Sequence, residues 1–216
     1  MSDTIFENRL AVFPLNIPLL PACRLPLQIF ERRYLDMVSN CLQTDSGFVI
    51  PLLKEGSEDQ EVLKDLPKAA NSPDLPFYRV GTLAHIEDFG QRDNGLLSLS
   101  VVGAQRYVLD DIVQGPSGLW SASAKPLDED GILDSKLTTS LTQYLEDAIT
   151  EQTWQQLGLE REALSGEQVI NYLVTLLPLP SQLKQILIET DLLPVRQQKL
   201  VDFIRLLSAD DSQPSQ

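Results

Sequence analysis

The chain has 216 residues, 43% of them hydrophobic, which is enough apolar material for one two-part domain or two small ones and excludes a disordered chain. Its formal net charge of −14 is spread along the sequence without basic clusters, so phosphate backbones are repelled and no nucleic-acid partner is expected. The acidity reads as solubility and colloidal repulsion, and Arg32 and Arg33 are the nearest approach to a basic footprint.

Residues 13–34, FPLNIPLLPACRLPLQIFERRY, carry four prolines among regularly placed apolar residues. Proline lacks an amide hydrogen and fixes its own φ. Pro14, Pro18, Pro21 and Pro26 therefore exclude a central strand or helix interior and dictate an edge strand, a crossing turn and a second short strand. Strands are predicted over 10–15 and 25–29. A helix follows over 31–43, with Tyr34, Leu35, Val38 and Leu42 on its apolar stripe and Glu31 where a first-turn carboxylate favours the helix dipole. Residues 47–53 read as a strand whose Pro51 marks an edge or a bulge. Residues 54–76, polar and punctuated by proline, read as a long surface excursion. Strands at 79–87, 96–102, 106–113 and 119–125 come next, separated by Gly95, Gly103 and residues 115–118, at the spacing of a small barrel. Leu97, Leu99 and Val101 alternate with Ser98 and Ser100, and Asn94-Gly95 is the strongest hairpin signal.

Helical periodicity takes over near 126–134, dividing the chain into a β-rich part (1–126), a helical part (127–208) and a polar tail (209–216). Leu137, Leu141, Tyr144, Leu145, Ala148 and Ile149 give one apolar face to a helix of roughly five or six turns. Ser165 with Gln168 forms a capping-box pattern opening a helix that carries Val169, Ile170, Leu173, Val174 and Leu177 and stops near Pro178. Ser181 is placed to cap the next helix, with Leu183, Ile186 and Leu187 inward. Pro194 is a first-turn residue of a last helix using Leu200, Phe203, Ile204 and Leu207.

Two cysteines, Cys23 and Cys41, are too few for a disulfide framework and lack metal spacing, so reduced core thiols are expected. The N-terminus has no basic region followed by a hydrophobic signal core, and the uncharged runs are short for a bilayer span. A cytoplasmic protein with no membrane insertion is the expectation.

The wording of residues 13–34 resembles the opening of the N-terminal, substrate-binding domain of Lon proteases, through Phe13, Pro14, Leu15, Leu25, Pro26, Leu27, Ile29, Phe30, Glu31, Arg33 and Tyr34. The resemblance recurs at Gly81, Thr82, Ala84 and Ile86, then at Gly103 and Arg106, and more loosely in LPLPSQLKQILIETDLLPVRQQKL. It implies an α+β fold, a PUA-like β pseudobarrel followed by a C-terminal helical bundle. The chain contains neither the ATPase nor the Ser-Lys protease module of a full Lon protease, and thus resembles a stand-alone N-domain. What that implies is a non-catalytic recognition module without cofactor or metal, engaging unfolded polypeptide clients or a partner protein; the oligomeric state is left open.

Enzyme readings find little support. No Gly-x-x-x-x-Gly-Lys-Ser/Thr occurs, and Gly115 and Gly118 precede Leu119 and Trp120, as in a hairpin turn. His85 is the single histidine, so a Ser-His or Cys-His hydrolase would have to use it; a structural or half-exposed role is favoured. Asp128, Glu129, Asp130 and Gly131 hint at a calcium loop, but the glycine arrives early and Thr139 stands where a bidentate glutamate is required, so a solvated linker is expected. Asp110 and Asp111 point to opposite faces of a strand unless a bulge intervenes. A nucleic-acid-binding PUA-like protein is the other alternative.

For client contact the leading candidate is Trp154. Continuing the helix from Leu145 at about 100° per residue puts it opposite the apolar stripe. The favoured alternative is that the helix ends earlier or that Trp154 packs into the bundle, since tryptophans are mostly buried. Trp120, Phe77 and Tyr78 are further candidates for a groove. Glu31, Arg33 and Arg106 are expected to be structural, a helix-start charge and strand-end pairings at the junction of barrel and helix.

Overall fold

The computed structural model describes residues 9–57, 75–91, 95–160 and 163–210, in two units, 1–127 and 128–216. In the first unit the strands are β1 (Leu10–Val12), β2 (Arg24–Ile29), β3 (Phe48–Leu53), β4 (Phe77–Gln91), β5 (Leu97–Gln114) and β6 (Trp120–Leu127), with helix α1 (Arg32–Thr44) between β2 and β3. The sheet runs β2-β5-β4-β3-β1-β6, and β5 pairs again with β6, closing β5, β4, β3, β1 and β6 into a ring. β5 makes this possible by its length of 18 residues. Its first part pairs with β2 from Leu97 to Val102, and its last part pairs with β6 from Arg106 to Gln114. Closure of this kind removes free sheet edges from the ring.

The sequence predicts two strands where β5 is one. Gly103 lies inside it, not in a turn: it bonds the turn after Leu20, donating to Cys23 O at 2.9 Å and accepting from Ala22 N–H at 2.8 Å. A Cβ at Gly103 would collide with the carbonyl oxygen of Leu20. The glycine serves close approach of two backbones. Gly81 is similar, since a Cβ there would meet Ile50 O at 2.7 Å. Gly95, at φ +81, does turn the chain between β4 and β5; Asn94 lies outside the described residues, as do residues 58–74 of the expected excursion.

β3 is an inner strand between β4 and β1 and is buried along its whole length, so the edge reading of Pro51 is corrected. The bulge reading holds, because the register shifts between Pro51 and Leu53. α1 turns Tyr34, Met37, Val38 and Cys41 inward, an i, i+3, i+4, i+7 stripe. Leu35 and Leu42, predicted on that stripe, are on its exposed flank. Inside the barrel Val12, Val49, Phe77, Leu109, Ile112, Trp120 and Ala122 form a core, with the Phe77 and Trp120 rings edge-on at 5.6 Å.

The second unit contains α2 (Ser135–Ala148), α3 (Glu151–Leu157), α4 (Gly166–Leu176), α5 (Ser181–Ile188) and α6 (Leu193–Asp210). α4 is the central helix, packed against α2, α5 and α6, and seven consecutive residues from Val169 to Thr175 are buried. The Ser165–Gln168 capping box forms as predicted. Pro180, not Ser181, occupies the cap of α5, and Ile186 is exposed rather than inward. The long helix predicted after residue 137 breaks at Ile149, which is extended, and Thr150 caps α3 by accepting from Thr153 N–H. Among the described residues no helix is long and apolar enough to cross a membrane.

Candidate functional site

In the first unit, alternation along β2 turns Leu25, Leu27 and Ile29 to one face, so the next residue, Phe30, leaves the strand on the other side. It is 59% exposed. Glu31 then starts α1 in extended conformation with no side-chain cap bond, because its carboxylate is used elsewhere. Glu31 Oε2 lies 2.7 Å from Arg33 Nη2, in an ion pair whose side chains are 19% and 7% exposed. Arg33 Nη1 donates to Gly118 O at 2.9 Å, and its guanidinium sits 4.6 Å from the centre of the Tyr34 ring. Gly118 O also accepts from Gln114 Nε2 at 3.2 Å. The turn between β5 and β6 is therefore tied to the first turn of α1. Gly118 has φ +82, and a Cβ there would press on Arg33 Nη1 at 3.2 Å.

Two clefts flank this ion pair, and Glu31 and Arg33 line both. One, of about 210 Å³, is walled by Phe13, Leu15, Ile29, Phe30 and Tyr34, with Asn16 and Gln28 as polar lining. The other, about 450 Å³, lies between Arg32 and residues Gln114 to Gly118. Phe13 packs on Tyr34 at 4.2 Å between ring centres and on Phe48 at 5.9 Å, so the apolar wall is fixed from behind. Burial pushes the Tyr34 phenol up to about 12; the Arg33 guanidinium pulls it down and the Glu31 carboxylate adds to the rise. The first cleft is smaller than the roughly 300–1,000 Å³ of small-molecule pockets. It suits one or two side chains of a polypeptide better than a nucleotide.

The structure thus brings Phe13, Pro14, Leu15, Phe30, Glu31, Arg33 and Tyr34 together. It does not bring Trp154, Trp120 and Phe77 to the surface: they are 2%, 2% and 0% exposed. Trp154 moved inside because the helix restarts at Thr150, which resets the facing extrapolated from Leu145. Phe77 and Trp120 belong to the barrel core, so the expected groove is corrected. Tyr78 is half-buried, with Lys54 Nζ 5.9 Å from its ring centre. Pro26 is exposed in β2 opposite Ser100. Thr82 and Arg106 face each other in register and are fully buried, so Arg106 lies within β5, not at a strand end.

His85 is exposed on β4. Cys23 and Cys41 are buried free thiols whose pKa values are raised by burial, a bonded Ser46 partly offsetting the rise at Cys41. The bulge allowed for at Asp110 and Asp111 is present, with Asp111 at φ 47, and Asp110 pairs with Arg79 at 3.6 Å and Lys125 at 3.3 Å. Sequence reasoning missed Phe30 as a surface residue, although the alternation of β2 carries that signal.

Residues 9–205 match the family model described as the ATP-dependent protease La (LON) substrate-binding domain. Among solved structures, a Lon N-terminal domain protein from Xanthomonas campestris is 28% identical, with a TM-score of 0.62, covering 90% of this chain and 97% of that one. The N-terminal domain of the Mycobacterium avium complex Lon protease is 17% identical, with a TM-score of 0.58 over 90% of this chain and 96% of that one, a likeness of fold. No curated protein matches the chain.

Proposed function

Because the chain belongs to the Lon substrate-binding domain family, we propose that it recognises extended or unfolded polypeptide segments at the cleft beside Phe30. The observation that carries this reading is Phe30 itself, 59% exposed beside a cleft whose apolar wall is otherwise the buried Phe13, Ile29 and Tyr34 and the half-buried Leu15. A client side chain entering the cleft would be covered by Phe30 and sit on Phe13, Ile29 and Tyr34, and Asn16 and Gln28 would orient its backbone. The work is done by burial, without covalent chemistry. Buried thiols of raised pKa are poor nucleophiles, which supports that view. A nucleic-acid ligand is disfavoured, since Arg33 is neutralised by Glu31 and the chain carries −14. Buried free cysteines fit a cytoplasmic setting.

The test is binding of a reduced, carboxymethylated model polypeptide, followed by fluorescence anisotropy. Phe30→Ser should weaken it about tenfold, the order expected for one aromatic side chain covered on binding. Its thermal melt should stay put, because an exposed residue is removed. Unchanged affinity would discard the cleft.

A further inference from the structure

We propose that the second unit carries a separate docking surface centred on Ile132, for a polypeptide partner in which an apolar side chain is flanked by lysine or arginine. Ile132 is 91% exposed, more than any other large apolar side chain among the described residues. Yet its backbone is firmly held. Asp130 N–H donates to Asp191 O at 3.2 Å and Leu193 N–H donates to Asp130 O at 2.8 Å, a parallel bridge that lays the segment along the start of α6. On one side Glu129 pairs with the buried Arg196 at 2.9 Å; on the other, Asp134 N–H donates to Gln197 Oε1 at 2.9 Å. Asp128, Asp130 and Gly131 are exposed, as expected of a solvated linker, but the segment is bonded along the start of α6. A side chain presented by a pinned backbone loses little freedom when it is covered, which favours its use as an anchor.

Further apolar surface lies alongside. A Cβ at Gly131 would clash with Pro194 Cδ at 2.6 Å, so the segment runs tightly against the start of α6, where Leu192, just before the helix, is 50% and Val195 41% exposed. The rim is acidic. Asp130 and Asp134 stand two residues either side of Ile132, within about 7 Å by chain geometry, and Asp191 is bonded to Asp130 through its backbone. Those distances fall inside one Debye length, about 8 Å at physiological salt. Arg196 is held by Glu129 and Thr190 O and Lys199 donates to Thr190 Oγ1 at 3.0 Å, which among the described residues leaves Lys136 as the exposed cation beside the carboxylates of Asp128, Glu129, Asp130, Asp134 and Asp191. A second copy docked by a twofold axis would bring the same carboxylates face to face. A cationic-flanked apolar segment complements both features.

The experiment uses the full chain and two labelled peptides, one with leucines flanked by lysine and one with the same leucines flanked by glutamate. The lysine peptide should bind and the glutamate peptide should not. Ile132→Ser should weaken binding about tenfold or more, as expected for one buried isoleucine. Asp130→Asn, which keeps the side-chain acceptor for Gly131 N–H, should weaken it and flatten its salt dependence. These comparisons are made on the Phe30→Ser background, which silences the cleft of the first unit, so that the loss on Ile132→Ser reports the second unit alone. The proposal is overturned if Ile132→Ser binds like wild type, if both peptides bind alike or neither binds, or if sedimentation shows a dimer that Ile132→Ser dissolves.

Discussion

Replacing Gly103 by alanine tests how β5 can be one strand. The added Cβ would clash with the Leu20 carbonyl oxygen and come within 2.9 Å of its carbon and 3.2 Å of Leu19 Cγ. Two of those three contacts are backbone, so the turn at residues 19–23 must move away. Two hydrogen bonds are then lost or stretched, Ala22 N–H to Gly103 O and Gly103 N–H to Cys23 O, at about 1 kcal/mol each. Leu19 and Leu20, 2% and 0% exposed, would give up part of their burial, about 1.5–3 kcal/mol together if half is lost. The sum is about 3.5–5 kcal/mol, a large part of the roughly 5–15 kcal/mol that keeps a domain folded. The measurement is a urea melt of the full chain by circular dichroism, with Gly90→Ala as control. Gly90 also lies in the sheet but has nothing within 4 Å of the added methyl, so its midpoint should hardly change. A Gly103→Ala midpoint as close to wild type as that control would refute the close-approach account.

The Tyr34 phenol, raised by burial from 10.0 to about 12, stabilises the fold fully below pH 10 and ceases to do so as pH rises to about 12. The amount is about 2–3 kcal/mol. Urea midpoints at mildly and strongly alkaline pH should therefore fall more steeply for wild type than for Tyr34→Phe, and parallel slopes would count against a buried neutral phenol. Arg196 is fully buried and bonds Thr190 O at 2.7 Å as well as Glu129. Arg196→Met strands that carboxylate and carbonyl and should cost about 3–5 kcal/mol in a melt of the second unit; a loss below about 1 kcal/mol would show that the network is dispensable.

Local chemistry was legible wherever a residue acts on its own backbone. The prolines of 13–34, the Ser165–Gln168 box, Gly95 at its turn and the stop before Pro178 follow from φ restrictions and orphan amides, which a neighbour three residues away satisfies. The motif residues of the cleft were also legible, and the sequence favoured a structural role for Glu31 and Arg33.

Which apolar residues face outward was decided only by the tertiary structure. Trp154 and Ile186 show why: a helix that restarts at Thr150, or one capped a residue early, rotates every later side chain, and no periodicity records that break. Gly103 makes the same point for strands, since a glycine reads as a turn until a distant backbone arrives above it. The chain by itself determined which segments become strand or helix, through steric limits on each residue's own dihedrals. Closure of the barrel, the close approach at Gly103 and the pinning of Ile132 arise from contacts between segments far apart in sequence, whose energies depend on distances that composition does not contain.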